Sequence, residues 1–387
     1  MDQTEDLWED DQVSICANCA KHPEILALVE SDLAEGVCGV CGSASEQVFN
    51  PGNFQRMTNL IRALIRFYFN EDRYNRHWGG TSVQSLLLEE ENPLINRTNS
   101  DDYSDVLAIR IEEEGGVYPE YDEGICLYAG HGEAGERGIL FSVQDSVCRP
   151  LRNIEQALTH QNFHLVEPQM EALLSRVEKD LDLLIDKDSL WYRSRTGVKE
   201  ESFHVGMTEV SHIAVPFKGR EIGALPPPSA NAGRANRQGV SVLYLASDVE
   251  TALSEIRPHP GHLISVGGFR AREVLRIASF DQPIINFSSS DRRLDDFNVI
   301  HQVDALLREP VIPEERHRYA VTQLLADCLI RQGFDGIAFG SSVGSGRNIC
   351  VFEPAKFQFD DDHSFVRRVD DLRYSFSEVA MIVPDEA

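Results

Sequence analysis

Four of the eight cysteines stand in two C-x-x-C pairs, Cys16-Ala-Asn-Cys19 and Cys38-Gly-Val-Cys41, with 18 residues between them. Two such knuckles can surround one tetrahedral zinc with four thiolates. All four coordination positions would then be filled, so the expected role is structural, with one metal ion per chain. Gly39 and Gly42 suit the tight turn of the second knuckle. A chance cluster of core cysteines is the bland alternative. A redox pair is the other, and no thioredoxin-like pattern surrounds either motif. His22 reads as a solvated residue rather than a ligand. The remaining cysteines, 126, 148, 328 and 350, are isolated.

A second set of reactive residue types lies in the other half of the chain. Trp191-Tyr192-Arg193-Ser194-Arg195 puts two arginines on an expected strand. Gly233-Arg234-Ala235-Asn236-Arg237-Gln238-Gly239 precedes a strand containing Tyr244, and Thr251-Ala252-Leu253-Ser254-Glu255 follows it. Gly336-Ile337-Ala338-Phe339-Gly340-Ser341-Ser342 is followed by Asn348. Each piece alone has a plain explanation. A lone strand arginine is usually a surface or ion-pair residue, a glutamate late in a helix is usually solvated, and Ser-Ser after a strand is usually a turn. Glu255 is nonetheless placed where the helix dipole disfavours a carboxylate.

The elements that must position these residues follow from periodicity and breakers. Residues 54–69 and 168–186 have apolar positions at helical spacing. Residues 71–150 give only mixed loops and short elements, with acidic runs at 89–91 and 112–114 and Gly-rich pieces near Gly115, Gly130 and Gly138. LWYRSR from Leu190 is strand-like, then a polar, Pro-rich stretch runs to Pro228. Residues 240–246, 262–269, 274–280, 336–342 and 348–354 read as strands. Ser247 and Asp248 sit where a cap belongs before a helix through TALSEIR. Residues 313–332 read as a helix with Pro313 in its first turn. No internal repeat is visible. Strands and helices mix without βαβ alternation, so the expected class is α+β. The expected division is a zinc-binding domain over 1–165, a linking helix over 166–188, a catalytic domain over 189–356 and an acidic extension over 357–387.

The 387 residues carry 36 Lys+Arg against 63 Asp+Glu, a formal charge of −27, and are 42% hydrophobic. That length suits two or three domains, and the composition suits a folded chain. No window approaches a membrane-spanning apolar run. The opening MDQTEDLWEDD lacks the basic start and apolar core of a signal peptide, so a cytoplasmic location is expected. Residues 1–50 carry −10 and residues 101–150 carry −9, whereas 201–350 carry only −2. An anionic envelope repels nucleic-acid backbones, and the near-neutral stretch is where an anionic small ligand meets least repulsion.

Together, the Y-R opening, G-R-x-N before V-L-Y-L-A, T-A-x-x-E, D-G-I-x-F-x-S-S and N-x-x-V-F-x-P closely resemble the RES-domain family. They occur in family order over residues 190–355. The paired knuckles and the helix after them more weakly resemble the HEPN/RES N-terminal domain. The Arg73-to-His77 spacing is too short for the HEPN ribonuclease signature, so no RNase activity is assigned.

The resemblance implies an ADP-ribosyltransferase-like fold and an NAD+-degrading toxin or defence effector. Its reaction would break the nicotinamide–ribose bond by phosphorolysis or hydrolysis. Such cleavage passes through an oxocarbenium-like ribose, which a carboxylate can stabilise. Glu255 is then the candidate for that role, with Arg193 and Ser342 as the other catalytic candidates. Arg193 and Arg234 could grip the pyrophosphate, with Arg195 as a substitute for Arg193. Tyr244 could stack on nicotinamide or bond the ribose. Ser341 or Ser342, with Asn348, could bind phosphate, and the serine pair leaves two registers open. Asn236 joins the substrate-binding set. Two other readings are ADP-ribosyl transfer to a macromolecule and a catalytically silent recognition module acting through its zinc domain. The implied partners are NAD+, inorganic phosphate, and an antitoxin or regulatory protein. A homo-oligomer is open, and a membrane partner is not expected.

Overall fold

A computed structural model gives the fold of residues 12–75, 78–96, 106–111, 139–205, 209–309, 311 and 313–373. Cys126, His77, the 112–114 acidic run and the Gly-rich pieces at 115, 130 and 138 lie outside the described residues, as does the tail beyond 373. The chain divides into two compact units. One is made of residues 1–153 and 281–303, the other of residues 154–280 and 304–387.

The first unit holds a three-stranded sheet: β1 (Val13–Ser14), β2 (Leu33–Cys38) and β3 (Ala44–Phe49), in that order. β1 pairs parallel with β2, and β2 antiparallel with β3. The helix expected over 54–69 spans Phe54–Tyr68, and its apolar stripe of Phe54, Met57, Leu60, Ile61, Leu64 and Ile65 is buried. That stripe repeats at the helical period, so burying it drives helix formation here. A shorter helix, Pro23–Ser31, has proline in its first turn and His22 as its cap. His22 is half-buried. Its Nδ1 accepts from Glu24 N at 3.3 Å and its Nε2 lies 2.9 Å from the Tyr68 hydroxyl. It is a capping residue, not the solvated side chain expected, because it precedes a proline-started helix that needs an acceptor. Glu24 ties in the distant segment: its two carboxylate oxygens accept Ile284 N and Ile285 N at 3.0 and 3.1 Å.

The second unit is built on an eight-stranded sheet. Its strands are β4 (Asp182–Ile185), β5 (Leu190–Thr196), β8 (Leu243–Ala246), β9 (Leu263–Ala271), β10 (Leu275–Ser279), β11 (Gly336–Gly340), β12 (Arg347–Val351) and β13 (Phe357–Arg368). The order is β13-β9-β5-β8-β12-β11-β10-β4. Only β10 and β11 run parallel; every other pair is antiparallel. Leu243, Leu245, Phe269, Ile277, Ile349 and Val351 belong to one buried cluster in this sheet. The mixed, mostly antiparallel sheet with helices is the α+β class expected.

Four expectations need correction. The helix expected over 168–186 is Phe163–Val177, with Pro168 inside it. Residues 182–185 are instead the edge strand β4, where Leu183 and Ile185 pair with Ile277 and Leu275. Sheet pairing overrides the helical spacing of that short apolar run. The polar stretch after Thr196 contains a hairpin, β6 (Lys199–Val205) with β7 (Glu209–Val215). The helix expected over 313–332 is a 3-10 segment, Pro313–Tyr319, followed by the α-helix Ala320–Arg331. The supposed extension from 357 begins with β13, which pairs with β9 from Phe357↔Ala271 to Arg368↔Leu263 around an irregularity between Asp360 and Phe365. Phe357 is buried, and Phe359 meets Phe269 edge-on at 5.7 Å. Strand alternation hides those aromatics among acidic residues. Two helices, Arg149–Leu158 and Asp291–Arg308, also appear where no element was expected.

Among the described residues, no helix is long and apolar enough to cross a membrane.

Candidate active site

Three neighbouring strands, β5, β8 and β12, bring the second reactive set together. Tyr192 pairs with Ala246, Asn348 also pairs with Ala246, and Cys350 pairs with Tyr244. β8 leads into the helix Val249–Glu255, whose cap Asp248 accepts Thr251 N at 2.8 Å. A cavity of about 320 Å³ opens here, lined by Arg193, Arg234, Tyr244, Glu255, Tyr319 and Asn348 among others. Thus five of the expected site residues share one cavity despite spanning 155 positions, from 193 to 348.

Glu255 is the best-held of them. Its Oε1 accepts from Asn348 Nδ2 at 2.6 Å and from Ser341 Oγ at 2.7 Å. One carboxylate oxygen is therefore committed to the protein, and the helix end is fixed against β12 and the turn after β11. Ser341 Oγ itself accepts from Gly344 N at 2.9 Å and Val343 N at 3.2 Å. Its hydroxyl is engaged with the protein in both senses, which orients the carboxylate. Ser342 is exposed and has no hydrogen bond to this set. Of the two registers left open, only Ser341 touches Glu255.

The turn is latched onto the same helix. Gly346 N donates to Thr251 Oγ1 at 3.0 Å, and Thr251 Oγ1 donates to Asp248 Oδ2 at 2.8 Å. Arg347 N donates to Ser247 Oγ at 3.0 Å. A Cβ at Gly346 would collide with Asp248, Thr251 and Ser247, so the close approach requires glycine. Desolvation opposes the Asp248 charge, but the Thr251 and Ser247 bonds outweigh it and hold its carboxyl below the usual aspartate value.

Arg193 donates from Nη1 to the Tyr244 carbonyl at 2.9 Å. Burial pulls its guanidinium below the usual arginine value, with Tyr244 and Cys350 opposing; it stays cationic. Burial is also the main cause that pushes the Tyr244 phenol well above its ordinary value, so it acts as a neutral group. Tyr244 Oη donates to Asn236 Oδ1 at 3.1 Å and accepts Ala235 N at 3.0 Å. Asn236 Nδ2 in turn reaches the carbonyls of Asn231 at 2.8 Å and Val240 at 2.9 Å. Asn236 is buried and braces the loop behind Tyr244; it does not line the cavity. Arg234 lines it, and its Nη1 donates to Glu309 O at 2.6 Å, with its guanidinium 5.8 Å from the Tyr319 ring centre. Arg195 is turned elsewhere, donating to Glu221 O and stacking on Phe217 at 4.8 Å. It is no substitute for Arg193.

Tyr319 and the Thr251–Gly346 latch had no sequence signal as site features. Tyr319 carries no local motif, and a hydroxyl in T-A-x-x-E gives no hint that its partner lies 95 residues on.

The first unit holds a second candidate centre. The ligand atoms of Cys16, Cys19, Cys38 and Cys41 all lie within 4.8 Å of one another, with the first three residues buried and Cys41 exposed. Tetrahedral thiolates at a zinc–sulfur distance of about 2.3 Å stand roughly 3.8 Å apart, so the cluster fits one metal ion. Hydrogen bonds from Cys19 and then Cys38 pull the Cys16 thiol down to about 3, and the same contact with Cys16 pushes Cys19 up. Gly42 has φ +71°, and a Cβ at Gly39 would come 2.7 Å from Val13. Both glycines are required by the second knuckle. Among the described residues, the remaining cysteines stand apart, and burial pushes Cys350 up to about 12 and Cys328 up to about 11.

Comparison with known proteins adds the family. No curated protein matches this chain. A chain of the crystal structure of the M.tuberculosis MbcT-MbcA toxin-antitoxin complex is similar at 10% identity, over 51% of this chain and 92% of that one. Its TM-score is 0.28. The RES domain family matches residues 204–377. That span takes in Arg234, Tyr244, Glu255, Ser341 and Asn348, while Arg193 stands on a sheet strand just ahead of it. This chain carries a RES domain over residues 204–377.

Proposed function

We propose that this RES domain degrades NAD+ by cleaving the nicotinamide–ribose bond. The observation that carries the reading is the Glu255 carboxylate, fixed by Asn348 and Ser341, facing the same cavity as Arg193 and Arg234. In the reaction, the C1′–nitrogen bond breaks, its electron pair leaves with nicotinamide, and positive charge develops on the ribose. A carboxylate already held in place stabilises that charge without reorganising. The oxygen left over by Ser341 and Asn348 is the one available to the ribose. Arg193 and Arg234 act as cations for the pyrophosphate, and Tyr244, neutral and braced by Asn236, forms a flat wall for the nicotinamide or ribose. Attack by phosphate on the ribose carbon gives ADP-ribose 1″-phosphate; attack by water gives ADP-ribose and a proton. The commitment of the Ser341 hydroxyl to Glu255 favours an orienting role for it over phosphate binding.

Zinc is the metal best suited to the four-cysteine cluster, held by Cys16, Cys19, Cys38 and Cys41. Four thiolates leave no position for substrate, so the ion supplies folding energy and no catalysis. A toxin-type role, with an antitoxin or regulatory protein as partner, accompanies the RES family match.

Purified protein should release nicotinamide from NAD+, and a time course with and without phosphate identifies the acceptor. Glu255→Ala should abolish release while circular dichroism stays unchanged. Full turnover in that variant overturns the reading. Labelled NAD+ tests the second reading, because ADP-ribosyl transfer leaves label on a macromolecule.

A further inference from the structure

Beside the first cavity lies a larger one of about 590 Å³, within the same unit. Its lining includes Leu158, Thr159, Leu306, Glu309, Tyr319 and Val321. Two residues mark the boundary between the cavities. Tyr319 lines both. Arg234 lines the first, while its Nη1 donates to the carbonyl of Glu309, which lines the second. Thr322, another residue of the second lining, donates from Oγ1 to the Arg234 carbonyl at 2.6 Å. The guanidinium therefore stands at the seam, with reactive groups on one side and an unassigned cavity on the other.

We infer that the second cavity is the subsite for the adenosine end of the dinucleotide. The inference rests on the NAD+ reading above and deepens it. A dinucleotide has two nucleosides joined by a pyrophosphate. If the nicotinamide riboside sits at Glu255 and Arg193, the pyrophosphate reaches a cation at the seam, and the other nucleoside passes beyond it. The lining there suits an aminopurine. Leu158, Leu306 and Val321 offer apolar surface, and the Tyr319 ring offers an aromatic face for stacking. The Glu309 carboxylate accepts hydrogen bonds, which matches the exocyclic amino group or ribose hydroxyls. It is paired with Arg318, which also bonds Glu315 at 3.2 Å, so that arginine is already neutralised and gives no strong phosphate site. Contacts to the adenosine that are equally strong in the ground state and the transition state lower KM and leave kcat unchanged.

The test compares NAD+ with nicotinamide mononucleotide, which keeps the reacting bond and lacks the adenosine half. Leu158→Trp places a bulky side chain in the cavity from a half-buried position. It should raise KM for NAD+ by about tenfold or more with kcat nearly unchanged, and should leave kcat/KM for nicotinamide mononucleotide as in the wild type. Thr159→Trp, from an exposed position at the same cavity, is the companion variant should Leu158→Trp lower the melting temperature. Equal effects on both substrates, or no effect on either in both variants, overturn the subsite. ADP-ribose binding, read by calorimetry, separates the two levels of inference. Binding that is lost in the tryptophan variants supports the subsite even if the wild type cleaves nothing, which would sink only the catalytic reading. Binding that survives both variants overturns the subsite.

Discussion

Ser341 Oγ donates to Glu255 Oε1 at 2.7 Å, joining the turn after β11 to the last residue of the helix after β8. The contact spans 86 positions of sequence and fixes a carboxylate that a solvated helix end would leave free to rotate. A side chain oriented in this way serves chemistry only if its orientation survives substrate binding. Ser341→Ala should therefore lower kcat for nicotinamide release by about tenfold to a hundredfold, with a smaller change in KM. Ser342→Ala should stay within about twofold of wild type, since an exposed residue with no bond to the site offers nothing to remove. Reversal of that order would assign the role to Ser342.

Thr251 is fully buried and its hydroxyl serves two partners, Asp248 as acceptor and Gly346 N as donor. Thr251→Val keeps the shape and deletes both bonds, leaving a backbone N–H without its acceptor at a cost of about 1–3 kcal/mol. Melting temperature and kcat should both fall. Thr251→Ser restores the hydroxyl and should recover kcat even if packing of the lost methyl costs some stability. Gly346→Ala should disrupt the same turn by steric collision with Asp248.

The first unit should show a histidine-dependent acid sensitivity. Burial holds His22 below its usual value, and the groups facing it are Tyr68 and Glu24. Below about pH 6.5 the unfolded chain binds the proton more readily than the folded one, so the stability from neutral His22 is present above that pH and is lost as pH falls. Protonation also removes Nδ1 as the helix-capping acceptor. His22→Asn keeps a capping acceptor but cannot titrate. Denaturant melts of the two proteins between about pH 5 and 7.5 should show a weaker pH slope in the variant. Identical slopes exclude His22 as the cause. Glu24, raised mainly by burial, acts in the opposite sense at lower pH and remains in both proteins.

Metal analysis of fresh protein should find about one zinc per chain, as one four-thiolate site requires. Cys38→Ser should reduce that content sharply, because Cys38 is a fully buried member of the cluster and its Sγ also accepts Cys16 N at 3.5 Å. Chelation should lower the melting temperature of the wild type and change the variant little. Less than half an equivalent in a folded wild type would count against the site.

The cysteine knuckles were legible in sequence because a local turn of four residues is enough to bring each pair together. The helix at 54–68 was legible because one stripe of six apolar residues repeats at one period. β4 misread as helix, because four residues of Asp-Leu-Leu-Ile carry too little pattern to outweigh the helical run before them. β13 was hidden by its acidic outer face, since an edge strand needs apolar residues only where it meets the core. The residue types around Glu255 were readable as candidates, but a list of types has no geometry. Which serine turns toward the carboxylate, which arginine faces the cavity rather than Phe217, and that Asn236 stands behind Tyr244 were decided only in the folded state. The serine contact spans 86 positions and the arginine's turn toward Glu221 spans 26, and even Asn236, eight positions from Tyr244, is placed by how its loop folds back on the sheet. Such pairings are set by burial of the whole sheet, not by a local pattern in the chain.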